Sequence, residues 1–115
     1  MKRVELFAAT VSGVEMVDAW VSSPGDHFCA NRKRMTFPDV AEALVGDVIE
    51  EWAVSHLPTG FLVPYTATSS RKEAVALAGE LSRRCPLAAA ETKHPISLEA
   101  AEEIKSALRS LGLVG

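Results

Sequence analysis

No stretch of this chain stays apolar for the about 18 residues that a membrane-spanning helix needs. The alanine-rich run Leu87-Ala-Ala-Ala90 is far too short. Cysteine is scarce, with Cys29 and Cys85 the only 2 in 115 residues. Thiols so few, in an acidic chain, are expected to stay reduced and to behave as small buried hydrophobes. Basic charge is also short: 12 Lys and Arg against 15 Asp and Glu leave a formal charge of −3. That balance argues against a dedicated nucleic-acid binder, whose domain is usually clearly basic. Met1-Lys-Arg precedes an apolar run that Glu5 interrupts and that is shorter than a signal core, so the expectation is a cytoplasmic protein.

The signatures of familiar chemistry are missing as well. A metal site needs several ligands at close spacing, and the available set is His27, Cys29, His56, Cys85 and His94. His27-x-Cys29 is the one tight pair and no second pair at ligand spacing follows, so neither a metal nor a cofactor is expected. The expected arrangement is two buried thiols with the histidines at the surface or in turns. There is no Gly-x-Ser-x-Gly elbow and no glycine-rich phosphate loop. His56 is the histidine placed at a structured turn, beside Ser55 and Thr59, where a near-neutral pKa would suit a general base. One histidine without an identified partner is not a catalytic constellation. Its ring is expected instead to pack over the Pro58-Thr59-Gly60 turn and bond local backbone.

What is present describes an ordinary globular chain, 48% apolar and 23% charged, read as a single α+β domain over residues 1–115. The architecture expected is a small antiparallel sheet of hairpins packed against two or three helices. Alternation over residues 4–11, then Ser12-Gly13, then the Val-rich, Trp20-containing stretch to residue 21 predicts a hairpin. The alternative is a helix from Ser12, because Ser12-Gly-Val-Glu15 fits a capping box. Ser22-Ser-Pro-Gly-Asp26 is a turn by composition. Residues 27–37 predict a third strand with a polar middle, which suits an edge or an exposed loop. Thr36-Phe-Pro-Asp39 opens a helix that Gly46 stops. One longer helix through Trp52 remains the alternative, since Val40, Leu44, Val48 and Trp52 recur four apart. Strands over 48–56 and 61–66 would flank the Pro-Thr-Gly turn, with Pro64 at an edge or bulge.

Two helices close the chain. Ser70 and Glu73 make a capping box, Ala74, Leu77, Ala78, Leu81 and Cys85 one apolar stripe, and Pro86 the stop. A linker covers 87–95. Ser97 caps the last helix, whose Leu98, Ala101, Ile104, Leu108 and Leu111 are expected to face the core, with Lys105 and Arg109 near its negative end and Gly112 as its stop. There is no internal repeat.

Charge is more informative in its distribution than in its sum. Between residues 37 and 64 every Asp, Glu, Lys or Arg is acidic: Asp39, Glu42, Asp47, Glu50 and Glu51. Asp47, Glu50 and Glu51 are therefore candidates for docking onto a basic partner, although a solvated helix and strand face is the more ordinary explanation of the same charges. Arg32, Lys33 and Arg34, with Arg83-Arg84, are the opposite candidates, able to contact phosphates without specificity. No exposed-looking aromatic interleaves with them, which weakens any single-strand stacking role.

Trp52-x-Val-x-His-x-Pro-Thr-Gly60, an apolar strand, and Ser70-x-x-Glu-Ala-x-x-x-Ala-x-x-Leu81 together resemble a hairpin-helix unit of small phage and other bacterial mobile-element proteins. The likeness covers about a quarter of the chain. It implies a protein that acts by binding, as host-defence inhibitors such as anti-CRISPR proteins do. The expected function is thus a non-enzymatic binding protein that docks onto a host protein or nucleoprotein complex through Asp47, Glu50 and Glu51 or through Arg32, Lys33 and Arg34. The alternatives are a small nucleic-acid-binding accessory protein and a small enzyme centred on His56.

Overall fold

Alternating inward and outward side chains make the first two segments a hairpin. In the structure, a computed structural model that describes residues 1–10, 13–32 and 51–114, β1 (Lys2–Thr10) and β2 (Gly13–Val21) pair antiparallel in unbroken register from Lys2↔Val21 to Thr10↔Gly13. Leu6, Ala8, Ala19 and Val21 are buried on one face, while Phe7, Val14 and Met16 are exposed on the other. A period of two therefore wins over the helix alternative from Ser12, since it sends Val14 to the face opposite Val17 and Val21.

After the predicted turn, β3 (Phe28–Arg32) joins β2 through Trp20↔Ala30, and β4 (Trp52–His56) pairs with β3 from Phe28↔His56 to Arg32↔Trp52. The sheet order is β1-β2-β3-β4. This corrects the expectation of an edge strand or loop after residue 27: β3 is interior and its first four residues are buried. Asn31 is accommodated there because its Oδ1 accepts from Ser55 Oγ at 2.8 Å and its Nδ2 donates to the Arg32 carbonyl at 2.9 Å. The helix predicted from Thr36 to Gly46, and its longer alternative, lie outside the described residues.

The returning strand expected over 61–66 does not form. Beyond the Pro58-Thr59-Gly60 turn the chain follows the outer edge of β4 with only isolated bridges, Ser55↔Leu62 and Trp52↔Thr68. Pro64 has no N–H to offer, and Tyr65 takes a left-handed backbone (φ 65°), so the ladder breaks. The Thr66 hydroxyl fills the gap. Its Oγ1 accepts from Val54 N at 3.0 Å and donates to Val63 O at 2.7 Å, satisfying an edge that would otherwise stay unpaired.

Helix α1 (Arg71–Arg84) starts as predicted, with Ser70 Oγ accepting from Glu73 N at 3.2 Å. Ala74, Val75, Ala78 and Leu81 bury its inner face against β3 and β4, with Leu77 partly buried. The supposed linker contains a 3-10 helix, Pro86–Ala90, whose Leu87 N–H is taken by Glu103 Oε1 at 2.9 Å. Helix α2 (Leu98–Ser110) is capped by Ser97, whose Oγ accepts from Ala100 N at 3.2 Å. Its core face is Ala100, Ala107 and Leu108, flanked by Ile104. Leu98, expected inside, is 75% exposed because it lies in the first turn, off that stripe.

The result is a small α+β fold with apolar clusters on both sides of the sheet. Phe28, Val54, Leu81, Cys85, Ala88 and Leu108 unite sheet and helices. Leu6, Ala8, Ala19, Val21 and Cys29 lie on the other face, with Leu57 packed against them. Among the described residues no helix is long and apolar enough to cross a membrane.

Gly60 ties the 57–60 turn to the rim of the sheet. Its carbonyl accepts from Ala9 N at 2.9 Å, its φ is +75°, and a Cβ there would stand 1.8 Å from the Phe7 carbonyl oxygen. Gly25 shares the left-handed backbone (φ +88°) in open space. Gly25→Ala should therefore cost only the backbone term, about 1–2 kcal/mol. Gly60→Ala should cost clearly more, about 3 kcal/mol or above, because the turn must also leave β1. Urea denaturation of the two variants measures the difference.

Candidate functional site

β4 ends at His56, and the chain then turns back so that residues 61–65 face α2. Between them lies a groove of about 540 Å³. Leu62, Val63 and Pro64 form one wall, Ile104 and Leu108 the other, and His56 and Thr59 line its inner end. Its polar groups are mostly cationic or aromatic: Lys105, Arg109, His94 and Tyr65. The volume is within the range of sites that hold ligands or partner side chains.

His56 is fastened on both ring nitrogens. Nε2 lies 2.7 Å from the Ala88 carbonyl, which can only accept, so Nε2 carries the proton. Nδ1 then accepts from the Thr59 hydroxyl at 2.8 Å, and Thr59 Oγ1 in turn receives a long bond from Phe61 N at 3.5 Å. The ring is 4% exposed. Burial lowers its pKa below the ordinary 6.5, and nearby His27 acts in the same direction, while the Ala88 bond and Glu91 oppose it. A concave pocket with a second polar side chain within hydrogen-bond reach of His56, the arrangement a small enzyme centred on it would need, is thus present. Yet neither nitrogen is left for a substrate proton. The expected packing over the turn is met by the Thr59 bond, but the backbone partner is distant in sequence rather than local.

The other metal-capable residues are spread apart. His27 Nε2 donates to the Cys85 carbonyl at 2.6 Å, and its ring meets His56 edge-on at 6.2 Å between centroids. Cys29 points into the opposite face of the sheet, with Sγ 3.6 Å from Ser55 O, and burial pushes its pKa up to about 12. Burial, aided by Glu103, raises Cys85 to about 11. His94 stacks on Phe61 at 3.8 Å. Among the described residues no group of three or more such side chains is placed to hold a metal ion. The histidines are correspondingly not all surface groups: His56 is buried and His27 half-buried.

Of the residues singled out for partner binding, Lys33, Arg34, Asp47 and Glu50 lie outside the described residues. Arg32 ends β3 with its guanidinium 5.8 Å from the Trp52 ring centre, and the half-buried Glu51 precedes β4 at the same end of the sheet. That end is remote along β4 from His56 and the groove. It also holds aromatics that the local sequence around Arg32 did not reveal: Trp20 meets Trp52 edge-on at 5.5 Å, and Arg71 lies 4.9 Å from the Trp20 centroid. Arg83 and Arg84 both pair with Glu80, and Arg84 also reaches Ser110 Oγ at 3.0 Å, which uses their charge within the fold.

The groove itself escaped the sequence reading. From sequence Lys105 and Arg109 read as partners of the helix dipole, but both lie next to Ile104 and Leu108, and Phe61-Leu-Val-Pro-Tyr65 is a mostly apolar run. Those two signals, taken together, are the ones that point to it.

No protein-family model, curated protein or solved structure matches the chain.

His56→Ala should cost about 2–4 kcal/mol, since it deletes a buried ring, leaves the Ala88 carbonyl with only its long bond from Glu91 N, and takes the acceptor from the Thr59 hydroxyl. Because the folded-state pKa is below the unfolded one, the native chain binds that proton less well. Stability should be full above about pH 6.5 and fall as the pH drops through the lowered value. Urea midpoints at about pH 7.5 and pH 5 should differ in the wild type, and the difference should shrink in His56→Gln.

Proposed function

We propose that the chain is a non-enzymatic binding protein whose docking site is the groove between residues 61–65 and α2. The partner would be a protein that inserts an apolar segment bearing a carboxylate. The observation that carries this reading is the pairing of apolar walls with Lys105 and Arg109 on one helical face. Arg109 has no carboxylate within ion-pair distance among the described residues, and Lys105 has only an exposed, 3.6 Å contact with Glu102. An acidic group on a partner would complement both, adding specificity and encounter rate to the burial of apolar surface.

Tyr65 supports the same assignment. It is 70% exposed beside the groove and holds a left-handed backbone that a non-glycine residue adopts at a cost. Strain of this kind accumulates where a side chain is kept for function rather than for folding. Both ring nitrogens of His56 are engaged within the fold, which favours a binding role over a catalytic one.

The finer part of the proposal is that the partner is a host protein or nucleoprotein, that the chain belongs to a mobile element, and that it works in the cytoplasm. This part rests on the resemblance of residues 52–81 alone. A second reading, nucleic-acid binding, gains from the Arg32, Trp52, Trp20 and Arg71 cluster. It ranks lower because each indole already faces one of the chain's own guanidinium groups and the formal charge is −3.

A photo-crosslinking phenylalanine analogue placed at Tyr65 should give a discrete adduct in a bacterial lysate. Excess wild-type chain should compete it away, and excess Lys105→Glu/Arg109→Glu should not. Equal competition by both would sink the groove assignment. Tyr65→Gly should leave stability within about 1 kcal/mol, because relief of strain offsets glycine's extra unfolded freedom, while weakening that competition. A salt-sensitive shift of a nucleic-acid probe, abolished by Arg71→Ala, would instead favour the second reading.

A further inference from the structure

We infer that β1 pairs antiparallel with β1 of a second copy of this chain, with Val4 on the twofold axis. The sheet leaves its two edges in different states. β4 is covered by residues 61–68, whereas among the described residues β1 is bonded on its outer side only at Ala9, whose N–H reaches Gly60 O. That bond fixes which groups face outward. Odd-numbered residues of β1 direct N–H and C=O away from β2, while even-numbered residues serve the β1–β2 ladder. The backbone groups of Arg3 and Glu5 therefore point off the sheet, with no hydrogen-bond partner among the described residues. An open row of this kind is a template for another strand.

The 57–60 turn limits the register. With Gly60 against the Phe7 carbonyl, pairing cannot use Phe7 C=O or Ala9 N–H, which leaves Arg3 and Glu5. Centring the twofold on Glu5 or on Arg3 would set like charges directly opposite each other, which is unfavourable. Centring it on Val4 sets Arg3 opposite Glu5 of the second copy, and Glu5 opposite Arg3 of the second copy. Each Arg3 N–H then donates to a Glu5 carbonyl across the axis and each Glu5 N–H to an Arg3 carbonyl. The contact is self-complementary, as a twofold interface requires.

Charge within the monomer argues for the same arrangement. Glu5 stands directly opposite Asp18 on β2, a like-charge cross-strand pair. Arg3 answers Asp18 at 3.8 Å, and Glu5 has no cation within ion-pair distance among the described residues. A second copy supplies that cation.

Sedimentation velocity over about 10 μM to 1 mM should show a monomer–dimer equilibrium in the full chain, as befits a small contact. Arg3→Glu and Glu5→Arg should each raise the dissociation constant roughly tenfold, since each reversal acts twice across the axis. The double variant Arg3→Glu/Glu5→Arg should recover most of the affinity. In the unmodified chain, amide exchange at Arg3 and Glu5 should slow as concentration rises, while Ala9, already bonded, should not change. A monomer throughout that range would overturn the inference. So would a dimer whose Arg3 and Glu5 amides exchange at a rate independent of concentration, or a double variant no tighter than the singles. A β1 edge protected only on adding an extended peptide of another protein would also overturn it, by assigning the edge to a different occupant.

Discussion

Two imidazole-to-carbonyl hydrogen bonds hold the helical layer to the sheet. His27, just before β3, donates to Cys85 O at 2.6 Å, and His56, at the end of β4, donates to Ala88 O at 2.7 Å. Both carbonyls belong to the short 3-10 segment and its entry, where each also accepts one long backbone bond, Ala88 N to Cys85 O at 3.3 Å and Glu91 N to Ala88 O at 3.2 Å, so the imidazole is the closer of its two donors. The bonds fix that segment over Phe28 and Val54, and α2 in turn packs against it. The position of α2 relative to residues 61–65, and hence the groove, depends on those rings staying where they are. A residue that looked like a candidate base is in this way the fastening on which the site's shape rests.

The sheet divides its labour. Its β3–β4 half lies under α1 and carries the main core, while the outer part of the β1–β2 hairpin exposes Phe7, Val14 and Met16 on the side where α1 sits. The edges differ for the same reason. Thr66, Pro64 and the Gly60 turn manage the hydrogen-bonding groups near the groove, whereas those of Arg3 and Glu5 meet no partner among the described residues. Groove and open edge are independent surfaces, one cationic and concave, the other extended and self-complementary in charge. A protein that acts through binding can use the first for a partner and the second for its own copy without conflict.

Much of the fold was legible. Ser70 and Ser97 cap the helices because their hydroxyls satisfy N–H groups that nothing else reaches, a local matter that spacing reveals. The first hairpin was legible because alternation over nine-residue strands leaves little choice of face. The interior place of β3 was not, since Arg32 and the residues after it suggest solvent while Asn31 is satisfied by Ser55, 24 positions away. The broken return after Gly60 was half legible: Pro64 announced an edge or bulge, but that the Thr66 hydroxyl would stand in for the ladder depends on where Val54 lies.

The candidate site was the least legible part. Chemistry-bearing residues were sought as motifs, and the chain contains none; the groove is made instead by ordinary apolar residues from a broken edge and from one face of α2. By itself the sequence determined the elements whose signals lie within a few residues of one another: the caps, the hairpin register, the helical stripe of α1 and the small α+β class. Only the tertiary structure decided that His56 is a buried fastening, that Lys105 and Arg109 rim a groove, and that β1 keeps an open edge. Each of those depends on which distant backbone group or wall arrives opposite, and such meetings are set by packing rather than by local pattern.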